Sequence, residues 1–121
     1  MQTLEQTEIQ QVSAETVKHY KWGNNCDGYH LVRSDKLSVI QEHVPPGCAE
    51  IKHYHQQAEQ FFFVLSGIAT IECGDKVTHL KPHCGLHIRA GIAHKLSNVH
   101  STPLIFTVTS TPPTHGDRVE V

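Results

Sequence analysis

Apolar residues in this chain recur with a period of two far more often than with the period of a helix. Leu104, Phe106 and Val108 alternate with other positions across Leu104 to Ser110, the mark of a strand with one buried face. Leu37 to Val44 puts Leu37 and Val39 on one face and Ile40 on the other. Gln60 to Ser66, Gln-Phe-Phe-Phe-Val-Leu-Ser, is apolar on both faces. That predicts a strand covered on both sides, or covered on one side and paired to another subunit on the other. Further strands are expected over Ala49 to His55, Ile68 to Cys73, Lys76 to Leu80, Leu86 to Ile88 and His94 to Asn98. Turn residues separate them. Pro46-Gly47 suits the centre of a type II turn, Gly74-Asp75 suits a two-residue hairpin loop, and Ser66-Gly67 and Gly91 mark further tight turns. Short strands at this regular spacing predict an all-β antiparallel sandwich or barrel. Ser13 to Tyr20 alone suggests a short helix, capped by Ser13 with Glu15 and Thr16 in its first turn. The expected organisation is an N-terminal arm over 1–30, a β-barrel over 31–111 and a C-terminal tail over 112–121.

Composition narrows the functional classes. The 121 residues suit one domain. Charged residues are 18% and the net charge is −2 with His neutral, which excludes charge-driven disorder. That balance offers no footprint for nucleic acid and no polybasic membrane patch. The longest apolar run, Phe61 to Leu65, is far too short to span a bilayer. Met1 to Gln10 is polar, without the charged-then-apolar pattern of a signal peptide. Cys26, Cys48, Cys73 and Cys84 are widely spaced, with no C-x-x-C pair. The expectation is a cytoplasmic chain with free thiols and no zinc ribbon or redox pair. Histidine stands out: 11 residues, against 10 Lys and Arg together.

The sharpest local feature is His53-Tyr54-His55. On a strand, alternate residues point the same way, so both imidazoles project from one face and can share one metal ion. Five residues separate Gly47 from His53, and six separate Gln60 from Gly67. Later comes Arg89-Ala90-Gly91-Ile92-Ala93-His94-Lys95-Leu96-Ser97-Asn98. This pairing resembles the two-part signature of the cupin superfamily. The first part is a glycine, five residues, H-x-H, three or four residues, a glutamate, six residues and a glycine. The second ends in P-x-G, two residues, a histidine, three residues and an asparagine. The resemblance spans Gly47 to Asn98 and implies a double-stranded β-helix, or jelly roll, of the small single-domain kind. It also implies a metal held by His53, His55 and His94, and a homodimer.

Three departures from the family pattern bear on function. Gln60 occupies the place where cupins usually supply a carboxylate. Glu59 is the alternative ligand, but on a regular strand it faces the other way and only a bulge turns it inward. Arg89 stands where the family has proline, and His83 where a glycine is usual. A neutral glutamine oxygen leaves a bound divalent ion its full charge, which favours Lewis-acid work on a carbonyl or anionic substrate. The His53, His55, His94, Gln60 set also resembles the three-His-one-Gln cupins that open unsaturated uronate rings. Zn, Ni, Fe, Mn or Cu would each suit such a set. The expected activity is a metal-dependent isomerase, ring-opening enzyme or lyase on a small sugar acid or keto acid. A dioxygenase, and a non-catalytic cupin that binds or senses a small molecule, are the alternatives. An enzyme needs a titratable group near the metal, for which Glu59, His87 and Asp117 are candidates. Arg89 is a candidate to grip a substrate carboxylate. Trp22 and Tyr29 are read as lining a pocket or packing the arm. His115-Gly116-Asp117-Arg118 is read as closing the mouth, or as a solvated tail.

Overall fold

The computed structural model describes residues 9–121; the first eight residues of the expected arm lie outside them. Eleven strands form two antiparallel sheets with no helix among the described residues. In chain order they are β1 (His19–Trp22), β2 (Cys26–Arg33), β3 (Ser38–Val44), β4 (His53–His55), β5 (Glu59–Ser66), β6 (Ala69–Cys73), β7 (Lys76–Leu80), β8 (Gly85–Ile88), β9 (His94–Ser97), β10 (Leu104–Thr111) and β11 (Arg118–Glu120). One sheet runs β1-β2-β3-β10-β5-β8 and the other β11-β4-β9-β6-β7. The chain folds as a double-stranded β-helix.

Strand alternation decides what enters the space between the sheets. Val64 and Phe62 on β5, Phe106, Leu104 and Val108 on β10, and Val44 on β3 are buried, as are Ile71 and Leu96 from the facing sheet. Their burial is the main stabilising term. Phe61 and Leu65, one position out of phase on β5, are exposed on the outer face. The two-sided apolar run therefore covers one core face and leaves the other bare in this single chain.

Several turns follow from residue type. Pro46 and Gly47 form a type II turn, with Gly47 at φ +83° and the Cys48 N–H donating to the Pro45 carbonyl at 3.2 Å. Gly67 adopts φ +81°, and a Cβ there would come within 2.3 Å of the Pro103 carbonyl oxygen. Asn98 seals the loop before β10. It is fully buried, its Nδ2 donates to the carbonyls of Val44 and Thr102 at 2.9 and 2.8 Å, and its Oδ1 accepts from the His100 N–H.

Two expectations at the chain ends are corrected. Residues 13–20 do not form a helix. Ser13 Oγ does accept the Glu15 N–H, but only one turn closes before Tyr20 and Trp22 enter β1. A one-turn helix must meet the whole cost of nucleation, whereas β1 gains a ladder with β2 from His19↔Tyr29 to Trp22↔Cys26. The expected tail is a sheet strand, because β11 pairs with β4. The proposed strand over Ala49 to His55 is shorter, with a bridge from Ala49 to Ser97 and then β4 alone.

Asn98→Ala would strand the Val44 and Thr102 carbonyls inside the fold. A loss of roughly 2–4 kcal/mol is expected, read as a lower urea midpoint with an unchanged slope.

Candidate metal centre

The H-x-H pattern resolves into two buried imidazoles, with His53 3% and His55 6% exposed. Tyr54, between them, points the other way and lies opposite Val119 on β11. β9 pairs with β4 at a single position, His53↔His94, which sets the third imidazole beside the first. The ring centroids of His53 and His94 are 4.6 Å apart, and those of His53 and His55 are 4.9 Å apart. One ring nitrogen from each of the three lies within 4.8 Å of the others. The turn around Gly91 holds this arrangement: its N–H donates to the His55 carbonyl at 2.7 Å.

Hydrogen bonds select the free nitrogens. His53 Nδ1 meets the Ile51 carbonyl at 2.7 Å and His94 Nδ1 meets the Ile92 carbonyl at 2.9 Å. Carbonyls only accept, so both rings carry the proton on Nδ1 and present a lone pair at Nε2. His94 Nε2 and His55 Nδ1 are buried without a partner. Burial is the leading cause that pushes His53 down to about 4 and also lowers His55 and His94. The rings are therefore neutral at physiological pH, the form a metal requires.

The facing sheet supplies Gln60. Its amide is 8% exposed, and Nε2 donates to Ser110 Oγ at 3.1 Å across the β5–β10 register. Oε1 is left buried and unpartnered. No bulge turns Glu59 inward. It lies on the outer face, where Oε1 meets His87 Nε2 at 2.6 Å. The orphaned nitrogen and oxygen atoms of His94, His55 and Gln60 fit a metal ion.

His53, His55 and Gln60 line a cavity of about 350 Å³ together with Tyr20, Trp22, Glu42, Glu50, Phe62, Thr114, Gly116 and Arg118, among others. Glu59, His87 and Arg89 are absent from that lining. His87 and Arg89 instead border a separate hollow with Cys73 and Lys76. The candidates Glu59, His87 and Arg89 thus lie outside this cavity, because period two sends Glu59 and His87 outward. Asp117 turns toward the backbone of residues 56–58. Trp22 lines the cavity, whereas Tyr29 packs between His19 and His43, with centroids at 4.9 and 5.0 Å.

Two carboxyls escaped the sequence reading. Glu42 follows Ser38 and Ile40 on the inward face of β3, so the alternation that marks Ile40 could have flagged it. Glu50 belongs to the segment after the type II turn, where its Oε1 accepts the Leu96 N–H at 3.0 Å. Burial, aided by the Glu50 charge, pushes Glu42 up to about 8; burial raises Glu50 to about 7. Tyr20 reaches the same region by lying over Gly28, where any Cβ would fall 2.3 Å from its ring.

Residues 40–110 match the family model for the cupin domain. The chain is a cupin. No curated protein sequence matches it. Solved structures resemble this cupin in fold. An uncharacterized protein with a double-stranded β-helix domain from Klebsiella pneumoniae subsp. pneumoniae MGH 78578 superposes with TM-score 0.78 at 22% identity, covering 94% of this chain and 98% of that one. KdgF from Halomonas sp. gives 0.75 at 12% identity, covering 82% and 91%. A sugar phosphate isomerase of the cupin superfamily from Silicibacter pomeroyi gives 0.74 at 18% identity, covering 86% and 76%.

The buried groups give the metal-free cupin a signed pH dependence. The imidazoles lie below the ordinary 6.5, so the unfolded chain binds protons more tightly and stability rises with pH up to that value. Glu42 lies above the ordinary 4.5, so the folded chain keeps a proton that the unfolded chain has lost, and stability falls until about pH 8. Between pH 6.5 and 8 the carboxyls alone set the slope among these groups. Urea midpoints should fall across that window, and Glu42→Gln should flatten the fall.

Proposed function

We propose that this cupin is a metal-dependent enzyme of isomerase, ring-opening or lyase type, acting on a small polar acid such as a sugar acid or keto acid. The observation that carries the reading is the set of buried, unpartnered ligand atoms on His55, Gln60 and His94 beside His53. In this reading His53, His55, His94 and Gln60 hold one divalent transition metal. The ion supplies Lewis acidity toward a carbonyl or carboxylate oxygen. Gln60 contributes no charge, so the site stays electropositive toward an anion.

The chain's own residues supply the rest. Glu50 is fixed by the Leu96 N–H and Glu42 faces it within the cavity. Their raised values let one carboxyl keep a proton near neutral pH while the other gives its proton up. That provides an acid and a base, which a purely binding cupin has no need of. Phe62 packs edge-on against His94 at 5.8 Å and keeps water from that side of the triad. The names of KdgF and the sugar phosphate isomerase fit this class of chemistry. The same reading pairs two copies of the chain through the outer face that carries Phe61, Phe63 and Leu65.

Elemental mass spectrometry of untagged protein purified without chelator tests the reading. About one ion per chain is expected, absent in His53→Ala and His94→Ala and depleted in Gln60→Ala. Wild-type protein that takes up no Zn, Ni, Fe, Mn or Cu on reloading would overturn it.

A further inference from the structure

The end of the chain is built into the cavity wall. β11 lies along β4, with Arg118 opposite His55 and Glu120 opposite His53. Just before it, the Asp117 carboxylate accepts three consecutive backbone N–H groups, those of Gln56, Gln57 and Ala58, at 2.9–3.1 Å. The Gln56 N–H also reaches the Asp117 carbonyl at 3.2 Å. These residues form the turn that joins His55 to Gln60. Desolvation disfavours the Asp117 charge, but the donors of Ala58, Gln57 and Gln56, with His55, outweigh it and hold the carboxyl below its ordinary range. The clamp is therefore charged at neutral pH. It spans about half the sequence, and it fixes the direction of the next side chain.

That side chain is Arg118. It is the only Lys or Arg among the described residues lining the cavity. Its guanidinium is hardly used within the protein. Nη2 lies 3.4 Å from the Ile51 carbonyl, and Nε lies 3.7 Å from a Glu120 oxygen in a pair exposed on both sides. An exposed pair at that distance contributes little. No ion pair joins Arg118 to Glu42 or Glu50 among the described residues. On the same cavity, Trp22 buries an indole N–H that has no acceptor. The Arg118 charge acts on Glu42 and Glu50 across the cavity, but neither it nor the Trp22 N–H has a close acceptor on the lining.

We propose that Arg118 is the anion-recognition residue of the cavity, taking the carboxylate of a small organic acid, and that Asp117 is the positioning residue that aims it. The proposal deepens the metal reading, on which it rests for the ligand's other end. A guanidinium offers two parallel donors to a carboxylate, a fit that an ammonium lacks. It also assigns a purpose to an arginine placed among three imidazoles. A cation there opposes a bound metal, and an arriving anion relieves that repulsion.

Calorimetric titration with malonate, on Zn-loaded and metal-free protein, tests the assignment beside Zn titrations of the same samples. Wild type is compared with Arg118→Gln, Arg118→Lys and Asp117→Asn, each checked for cooperative thermal unfolding. Arg118→Gln should weaken malonate about tenfold or more, while Zn affinity stays level or rises because a positive charge has left. Arg118→Lys should recover part of the loss. Asp117→Asn should weaken malonate with Zn binding retained. Unchanged malonate affinity in Arg118→Gln, or a wild type that takes no malonate in either form, overturns the role of Arg118. Unchanged affinity in Asp117→Asn overturns the positioning role. A wild type that takes no Zn, yet loses malonate in Arg118→Gln, sinks the metal reading and leaves Arg118 standing.

Discussion

His53 and His94 face each other across β4 and β9, and each ties its Nδ1 to a carbonyl two residues back in its own chain. That repeated local bond settles the tautomer of both rings before any ligand arrives. It also makes the barrel's polar end a commitment. A buried ring nitrogen with a lone pair and no donor is destabilising by itself, and Gln60 Oε1 adds another acceptor to the same space. The remainder of the fold must hold those acceptors together against solvation and against protonation.

It does so without dedicated architecture. The strands that build the apolar core also build the site, by running on past it. β10 turns Leu104, Phe106 and Val108 inward and then Ser110; β5 turns Val64 and Phe62 inward and then Gln60; β3 turns Val44 inward and then Glu42. On β5 and β10 the inward face is apolar at one end and polar at the other, and on β3 Glu42 sits between Val44 and Ile40 with the same periodicity. Close packing around Phe62 and Phe106, whose rings are 5.9 Å apart, therefore bears directly on the seat of Gln60. Core and cavity cannot relax independently.

How much of this was legible in the sequence follows from the range over which each determinant acts. The H-x-H pair, the alternation of β5 and β10 and the type II turn at Pro46-Gly47 depend on neighbours in the chain, and each could be read. The two ends could not. β1 owes its existence to a ladder with β2, and its tyrosine needs the gap over Gly28. β11 owes its own to β4, more than sixty residues earlier. Glu42 and Glu50 were missed for a different reason: a single acidic residue in a strand ordinarily marks the solvent side, and only the cavity makes the inward side habitable. Glu59, His87 and Arg89 were drawn in by their chemistry, although the alternation already argued against the first of them.

Glu59 and Gln60 stand side by side on β5, one facing solvent and the other facing the triad, and the turn ahead of them is pinned by Asp117. A strand has only two sides, so sliding it by one place exchanges them. Gain of one residue in that turn would bring Glu59 to the place where the Gln60 amide now stands, and would turn Phe61 and Phe63 toward the core in place of Phe62 and Val64. The charge facing the triad would change by one unit, and every pairing of β5 with β8 and β10 would shift by one place. Within this architecture, the choice between an amide and a carboxylate facing the triad is thus tied to loop length and to the register of the whole strand. The Asp117 clamp on the turn is what keeps the present choice in place.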